Sequence, residues 1–162
     1  MRKTLVAGTF DPVTIGHVDI IQRTIALFDE VHVVIFVNPN KKPLFSLSTR
    51  QKMLQMALAD MASVVIDYSD GMLVDYMQQH GISATIRGVR NAADFDYEFA
   101  MAEQNQQLWS ECETIILPCA ENYAQISSGM IREALHNGQD VSHFLPKAIL
   151  PLVYDTFQRE KI

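Results

Sequence analysis

Short apolar runs alternate with segments of helical spacing along most of the chain. Runs rich in β-branched residues predict five strands, at residues 4–7, 31–37, 64–66, 82–86 and 114–118. The run at 31–37 is apolar at nearly every position, which is typical of a parallel strand covered on both faces. His32 interrupts this run, and an isolated histidine there is interpreted as a structural residue.

Apolar residues three to four positions apart predict a helix after each strand. In the first helix, at residues 18–28, the apolar positions are 18, 21, 25 and 28. Further helices are predicted at 48–60, 72–80, 94–110, from 126 to a stop signal at 137–138, and at 147–160. The alternation predicts an α/β fold with a doubly wound five-stranded parallel sheet and helices on both faces. Without a repeat, low-complexity tract or linker, residues 1–162 are expected to form a single domain.

Residues 8–17, with the sequence GTFDPVTIGH, form the turn between the first strand and the first helix. Gly8 is expected to let the backbone turn sharply or approach a ligand closely. Thr9, Thr14 and His17 place two hydroxyls and an imidazole beside the unpaired N–H groups of a helix N-terminus, which attract phosphate. We therefore hypothesise that the turn holds a nucleoside triphosphate. The alternative is that Thr14 only caps the helix and His17 is a solvated residue of its first turn.

A second group of candidate phosphate ligands follows other strands. Arg87 and Arg90 flank a glycine just after the fourth predicted strand, and guanidinium groups bind phosphate oxygens in pairs. Lys41 follows the second strand, whereas Lys42 is interpreted as solvated. Because the carboxyl ends of parallel strands meet at one edge of a sheet, these cations and the first turn are expected to face one crevice.

Three later segments leave two interpretations open. The serines at 127–128 either cap a helix or offer hydroxyl and N–H groups to phosphate. Glu98 lies four residues beyond Asp94, where it would meet a ribose or base if that helix face borders the crevice. Asp94 and Asp96 are interpreted as residues that cap the helix and complement its dipole. Residues 72–73 either line the crevice or belong to the ordinary core.

Composition narrows the classes of function. The 162-residue chain is 48% hydrophobic and has a formal net charge of −6, which argues against general nucleic-acid binding. No apolar run is long enough to cross a bilayer. Cys112 and Cys119 lack metal-site spacing and form no disulfide framework, so a cytoplasmic protein is expected. A few cations beside turns of an acidic chain favour a small anionic ligand held in one pocket.

Motifs in a fixed order extend over nearly the whole chain. They are residues 8–12 (GTFDP), 14–17 (TIGH), 41–43 (KKP), 87–90 (RGVR), 94–98 (DFDYE), 126–128 (ISS) and 140–146 (DVSHFLP). Together they resemble the bacterial phosphopantetheine adenylyltransferases, which are nucleotidyltransferases with a (His/Thr)-x-Gly-His motif. The sequence departs from the family pattern at Val6, Ala7, Gln106 and Gly129.

The resemblance implies the penultimate step of coenzyme A synthesis. ATP and 4′-phosphopantetheine would give dephospho-coenzyme A and pyrophosphate, with Mg²⁺ held through the ATP phosphates and not by metal ligands of the chain. The resemblance also implies a Rossmann-like nucleotidyltransferase fold and a cytoplasmic homo-oligomer, in this family a hexamer. Coenzyme A is expected to bind in the same pocket, and neither nucleic acid nor membrane is an expected partner.

Matching positions imply two sets of ligand-binding residues. The residues implied to contact ATP are Thr9, Phe10, His17, Gly88, Val89, Arg90, Glu98, Tyr123, Ala124, Gln125, Ile126, Ser127, Ser128 and Gly129. The residues implied to contact phosphopantetheine are Thr9, Lys41, Met72, Leu73 and Arg87. The catalytic set is His17, Thr9, Lys41 and Arg90, with His17 stabilising the transition state at the α-phosphate. No serine or cysteine has a recognisable activating base, so in-line displacement without a covalent intermediate is expected.

Two other functions fit parts of this pattern. A nucleotidyltransferase with the same turn could act on nicotinate mononucleotide, or on glycerol 3-phosphate with CTP. The chain could also be a non-catalytic nucleotide-binding module. The co-occurrence of five residues argues against a module, because ATP binding alone requires no site for an acceptor phosphate. These residues are Thr9, His17, Lys41, Arg87 and Arg90.

Overall fold

Five parallel strands form one sheet in the structure, a computed structural model that describes residues 1–160. The strands are β1 (Lys3–Gly8), β2 (Glu30–Phe36), β3 (Val64–Ser69), β4 (Ala84–Val89) and β5 (Glu113–Pro118). Their order across the sheet is β3-β2-β1-β4-β5, and each neighbouring pair is parallel. The prediction of a five-stranded parallel sheet is confirmed.

Helices cover both faces of this sheet. The α-helices are α1 (Ile15–Ile25), α2 (Leu47–Ala57), α3 (Leu73–His80), α4 (Ala92–Leu108), α5 (Ser128–His136) and α6 (Leu150–Glu160), with 3₁₀ turns at Glu121–Tyr123 and Lys147–Ile149. Leu5 and Val34 pack with α3 in one apolar cluster, whereas Val6 and Val33 pack with α1, α2, α5 and α6 in another. Since successive strand residues point to opposite faces, the predicted double winding is confirmed. None of the described helices is both long and apolar enough to span a membrane.

The strand order reverses beside the central strand β1. The chain runs outward from β1 through β2 to β3, and then returns to place β4 on the other side of β1. Open α/β sheets bind ligands at such a switch point, beyond the carboxyl ends of the strands. The first turn leaves β1 at this point and Arg90 leaves β4, so the topology brings both predicted anion-binding groups to one edge.

α1 begins three residues earlier than the periodicity of its apolar residues predicts. Thr14 is the N-cap, with an extended backbone, and the helix starts at Ile15. His17 is therefore the third residue of α1, where the backbone N–H groups have no carbonyl partner within the helix.

β4 is longer at its carboxyl end than the sequence predicts. It extends to Val89, so Arg87 and Gly88 lie within the sheet and pair with Ile116 and Leu117 of β5, instead of following the strand. Strand pairing fixes the direction of the Arg87 side chain more tightly than a loop would.

α4 also begins earlier than predicted, and its cap is a different residue. The side chain of Asn91 accepts a hydrogen bond of 2.9 Å from the N–H of Asp94, and the helix starts at Ala92. The interpretation of Asp94 as the cap is therefore wrong, but Asp94 does lie in the first turn, where its charge complements the helix dipole. Its carboxylate is instead available to pair with Arg90.

Candidate active site

The first turn fixes the imidazole of His17 in one orientation. The Thr14 hydroxyl accepts a hydrogen bond of 3.2 Å from the backbone N–H of His17. The backbone N–H of Thr14 donates to the ring atom Nδ1 of His17 over 3.0 Å. A backbone N–H can only donate, so Nδ1 carries no proton and the neutral ring is protonated at Nε2. Thr14 does cap the helix, but His17 is a half-buried, oriented residue and not a solvated one.

Burial and two neighbouring arginines keep this imidazole neutral. Desolvation is the main cause that lowers the pKa of His17 to about 4, and the positive charges of Arg87 and Arg90 act in the same direction. At neutral pH the ring therefore offers the Nε2–H group as a hydrogen-bond donor. It is not poised to give up a proton as a cationic acid.

We expect the imidazole of His17 to titrate near pH 4 in the folded protein. Because the ordinary value is 6.5, the neutral ring contributes stability that is complete above pH 6.5 and is lost as the pH falls toward 4. Two-dimensional ¹H–¹⁵N spectra of the imidazoles across this range should show the Nε2–H tautomer. His17→Gln assigns the signal by its loss, and a midpoint near 6.5 would contradict the neutral assignment.

Gly8 leaves space for the Phe10 side chain and does not adopt a turn conformation. It is the last residue of β1, whereas the left-handed conformation in this turn belongs to Phe10, with φ of 46°. The buried Phe10 ring lies against Gly8, where a Cβ atom would come within 3.0 Å of two ring carbons. The same ring meets His17 edge-on, with centroids 5.1 Å apart. The expectation that Gly8 serves a sharp turn is wrong, because the space at Gly8 is taken by an aromatic ring. The close approach of a ligand to Gly8 stays a prediction.

Gly8→Ala should lower the free energy of unfolding by about 1–3 kcal/mol, because the added methyl group displaces a ring in a filled core. Urea unfolding checks this value. Gly71→Ala, whose φ is not left-handed and whose added Cβ would meet the Ser69 hydroxyl oxygen at an ordinary 3.6 Å, separates the clash at Gly8 from the general effect of replacing a glycine. Equal losses for the two variants would contradict the clash.

Two buried charged residues support the turn and were not predicted. The carboxylate of Asp11 accepts from the N–H groups of Leu44 and Phe45 over 2.8 and 2.9 Å. Arg50 donates to the carbonyls of Phe45 and Thr9 over 3.0 and 2.8 Å. Sequence reasoning missed these residues because the bonds between the turn and the segment 44–50 join positions 33 to 41 apart. The only sequence signal was the unexplained charge of Asp11 between Phe10 and Pro12, and Arg50 stands between polar neighbours.

The two predicted arginines are each held by a carboxylate of α4. Arg87 forms a two-point ion pair with Glu98, with both bonds 2.7 Å long, and donates to the carbonyl of Ala7 over 2.6 Å. Arg90 pairs with Asp94 in the same two-point manner, over 2.7 and 3.1 Å. These pairs fix where the guanidinium groups lie. The Glu98 oxygens are thereby engaged, so the predicted contact of Glu98 with ATP stays a prediction.

The first turn, the arginines and Lys41 open into one cavity of about 760 Å³. It spans the carboxyl ends of β1 and β4. The predicted residues that line it are Thr9, Phe10, His17, Lys41, Leu73, Arg87, Gly88, Arg90, Glu98, Tyr123, Ile126, Ser127 and Ser128. The expectation that the first turn and the cations of the other strand ends face one crevice is confirmed.

Five of the predicted residues do not line the cavity. They are Met72, Val89, Ala124, Gln125 and Gly129. Val89 is buried and adjoins Gly88 in a strand, so its side chain points to the other face of the sheet. Met72 caps α3 and is 51% exposed. The contacts predicted for these five residues remain predictions.

Comparisons with known proteins identify the family of this chain. The Cytidylyltransferase-like family model matches residues 5–134, which include the first turn, Lys41, Arg87, Arg90 and the start of α5. A phosphopantetheine adenylyltransferase of Heliobacterium modesticaldum is 41% identical over 150 residues, covering 93% of this chain and 89% of that protein. One from Thermotoga neapolitana is 40% identical over 154 residues, covering 95% and 96%. The chain belongs to the phosphopantetheine adenylyltransferase family.

A solved structure of a more distant protein supports the fold of this family member. A candidate nicotinate-nucleotide adenylyltransferase of Vibrio parahaemolyticus aligns with a TM-score of 0.63 over 90% of this chain and 94% of its own. The sequences are 20% identical, so the likeness concerns the fold alone. The predicted Rossmann-like nucleotidyltransferase fold is confirmed.

Proposed function

We propose that this protein transfers AMP from ATP to the phosphate of 4′-phosphopantetheine, giving dephospho-coenzyme A and pyrophosphate. The single observation that carries the proposal is that the Thr9–His17 turn and Arg87 share one cavity. Two anionic reactants can therefore meet beside fixed donors. Membership of the phosphopantetheine adenylyltransferase family supports this acceptor in preference to nicotinate mononucleotide or glycerol 3-phosphate.

The acceptor phosphate is assigned to Thr9, Lys41 and Arg87. Glu98 and Ala7 occupy three N–H groups of the Arg87 guanidinium, which leaves two of its five donors for phosphate. Lys41 follows β2 in an exposed loop, where its side chain adds a positive charge to the cavity. Leu73 supplies an apolar wall for the pantetheine arm, and Met72 lies beside it.

The ATP phosphates are assigned to the other side of the cavity, where His17, Arg90 and the start of α5 meet. The Ser127 hydroxyl caps α5 by accepting from the Met130 N–H over 3.1 Å. A capped helix start still presents further N–H groups and a positive dipole end to phosphate. The remaining assigned ATP contacts are Thr9, Phe10, Gly88, Val89, Glu98 and the loop Tyr123 to Gly129.

Positioning and charge stabilisation supply the chemistry. A phosphate oxygen of the acceptor is already ionised, so it needs no general base to attack the α-phosphorus. That oxygen forms the new P–O bond while the bond to the bridging oxygen of the β-phosphate breaks, and pyrophosphate leaves with that electron pair. The Nε2–H group of His17 donates to the α-phosphate oxygen on which charge increases. Thr9, Lys41 and Arg87 hold the acceptor phosphate. Arg90 and the start of α5 hold the ATP phosphates, so the two anions lie close enough to react.

Magnesium enters this scheme as part of the MgATP substrate. Asp94 and Glu98, the carboxylates that line the cavity, are each paired with an arginine. Within the described part of the chain, no three His, Cys, Asp or Glu side chains are grouped to hold a metal ion. The donor set therefore fits Mg²⁺ coordinated by ATP phosphates and water.

Pyrophosphate release with defined acceptors tests the function. The protein is incubated with MgATP and phosphopantetheine, nicotinate mononucleotide or no acceptor, and in parallel with CTP and glycerol 3-phosphate. We expect release only with phosphopantetheine. ATP binding without release in any mixture would instead favour a non-catalytic module. Added coenzyme A should compete with phosphopantetheine if it occupies the same cavity.

We further propose that the chain acts as a cytoplasmic homo-oligomer, specifically a hexamer, with 1–162 as one catalytic domain. Large apolar side chains on α4 support an interface, because Phe95, Tyr97, Phe99 and Leu108 are 45–63% exposed. Both cysteines are free thiols, which suits a reducing compartment. Light scattering should give a hexameric mass, and Phe99→Glu should reduce it. The control Leu27→Glu changes an exposed apolar residue outside α4 and should leave the mass unchanged.

A further inference from the structure

Side chains from elsewhere in the chain hold three carbonyl oxygens of the first turn. Three hydrogen bonds of 2.8 Å join Arg50 to Thr9, Arg132 to Asp11 and Ser128 to Pro12. The donors belong to α2 and α5, which lie far from the turn in sequence. Such bonds to successive parts of one short turn restrict the directions in which its peptide groups can point.

The two arginines approach the turn from outside the cavity. Neither Arg50 nor Arg132 lines the cavity, whereas Thr9, Phe10 and His17 do. Arg50 is 4% exposed and is tied at its Nε to the carbonyl of Phe45. Both guanidinium groups therefore draw carbonyl oxygens away from the space assigned to the reactants.

Because a peptide group is planar, holding its oxygen on one side places its N–H on the other side, where the ligand would lie. The peptide between Thr9 and Phe10 is trans, so its C=O and N–H point in opposite directions. When Arg50 draws the Thr9 oxygen outward, the Phe10 N–H turns toward the cavity. Phe10 lines the cavity, although the residue as a whole is only 1% exposed. Phe10 adopts a left-handed φ of 46°, which a bulky residue keeps only when its surroundings hold it.

We propose that Arg50 and Arg132 are positioning residues for adenylyl transfer. Arg50 holds the Thr9 carbonyl away from the phosphates and thereby leaves the Phe10 N–H to face them. Arg132 holds the Asp11 carbonyl, whose peptide nitrogen belongs to Pro12 and has no N–H, so its effect is to remove an opposing partial negative charge. Asp11 completes the arrangement, since its carboxylate lies 3.7 Å from Arg132 and joins the turn to Leu44 and Phe45, just beyond Lys41. This inference rests on the proposed function.

Arg132→Met tests the proposal, because this side chain is partly exposed and its loss should not prevent folding. We expect kcat to fall about tenfold, since small displacements of donors are costly in a preorganised site, while the KM for each substrate changes less than about threefold. Arg132→Lys, which restores one donor, should recover most of the rate. Arg159→Met removes an exposed arginine of α6 and should behave as the wild type.

A second measurement does not depend on activity. Inorganic pyrophosphate added to the wild-type protein should move the Phe10 amide signal downfield in ¹H–¹⁵N spectra, and Arg50→Lys should abolish that shift in protein that remains folded. An equal shift in Arg50→Lys would overturn the role of Arg50. For Arg132→Met, a raised KM for ATP with normal kcat would identify Arg132 as a direct phosphate ligand, and a lower Tm with normal kcat would assign it to packing only. A wild-type protein that releases no pyrophosphate would count against the proposed function, while the amide shift would still decide the positioning role.

Discussion

His17→Ala is expected to lower kcat by about 10²-fold or more, the usual effect of removing one preorganised donor from a transition state. The structure gives the donor its direction, because the Thr14 N–H occupies Nδ1 and leaves the proton on Nε2. The KM for each substrate should change little, since the bond strengthens only as charge increases at the α-phosphate. Steady-state pyrophosphate release, with each substrate varied in turn, gives the two parameters.

His17→Gln separates the cap from the chemistry. Glutamine at this position can still accept from the Thr14 N–H, as in a common capping box, so α1 keeps its start. We expect His17→Gln to retain the stability of the wild type and to lose most of the activity. His143→Ala removes an exposed histidine outside the cavity and should retain both. Near-normal turnover of His17→Ala would remove the imidazole from the proposed mechanism.

Arg87→Ala is expected to raise the KM for phosphopantetheine by about 10- to 100-fold, because a phosphate loses a charged two-point donor. The KM for ATP should change much less if the acceptor subsite is assigned correctly. The variant should also lose about 2 kcal/mol of stability, because Glu98, which is only 9% exposed in the wild type, loses its ion-pair partner. A larger effect on ATP than on the acceptor would reverse the assignment of the two subsites.

Glu98→Gln is the matched variant for this pair. It keeps the shape of the side chain and breaks the two-point contact with Arg87. If Glu98 acts by orienting Arg87, the KM for phosphopantetheine should rise while that for ATP stays constant. A selective rise in the KM for ATP would instead support the direct contact with ATP that the family resemblance implies.

Local patterns were sufficient for the order of the strands and helices along the chain. Each of the five strands was found because its apolar run is short, β-branched and followed by a helical period. The helix start at Thr14 was also a local signal, since its hydroxyl and His17 lie three positions apart. The bounds were less accurate: β4 continues through Arg87 to Val89, because pairing with β5 extends a strand beyond its apolar core.

Contacts between distant positions could not be predicted in the same way. Nothing around Arg50 indicates that its guanidinium reaches the carbonyl of Thr9, 41 positions earlier. The contact of the Phe10 ring with Gly8 was also not predicted, because this ring folds back only in the assembled core. These features depend on where side chains point in the folded protein. The spacing of residues along the sequence does not give those directions.

The sequence by itself determined the alternation of strands and helices, the family, and the chemical groups available for two phosphate-bearing reactants. Only the tertiary structure decided which of those groups face the cavity, that Glu98 and Asp94 are bound to arginines, and that His17 is neutral. The physical reason is that hydrophobic periodicity acts between near neighbours in the chain. Orientation, burial and charge pairing are instead set by residues that meet only when β1 and β4 lie side by side.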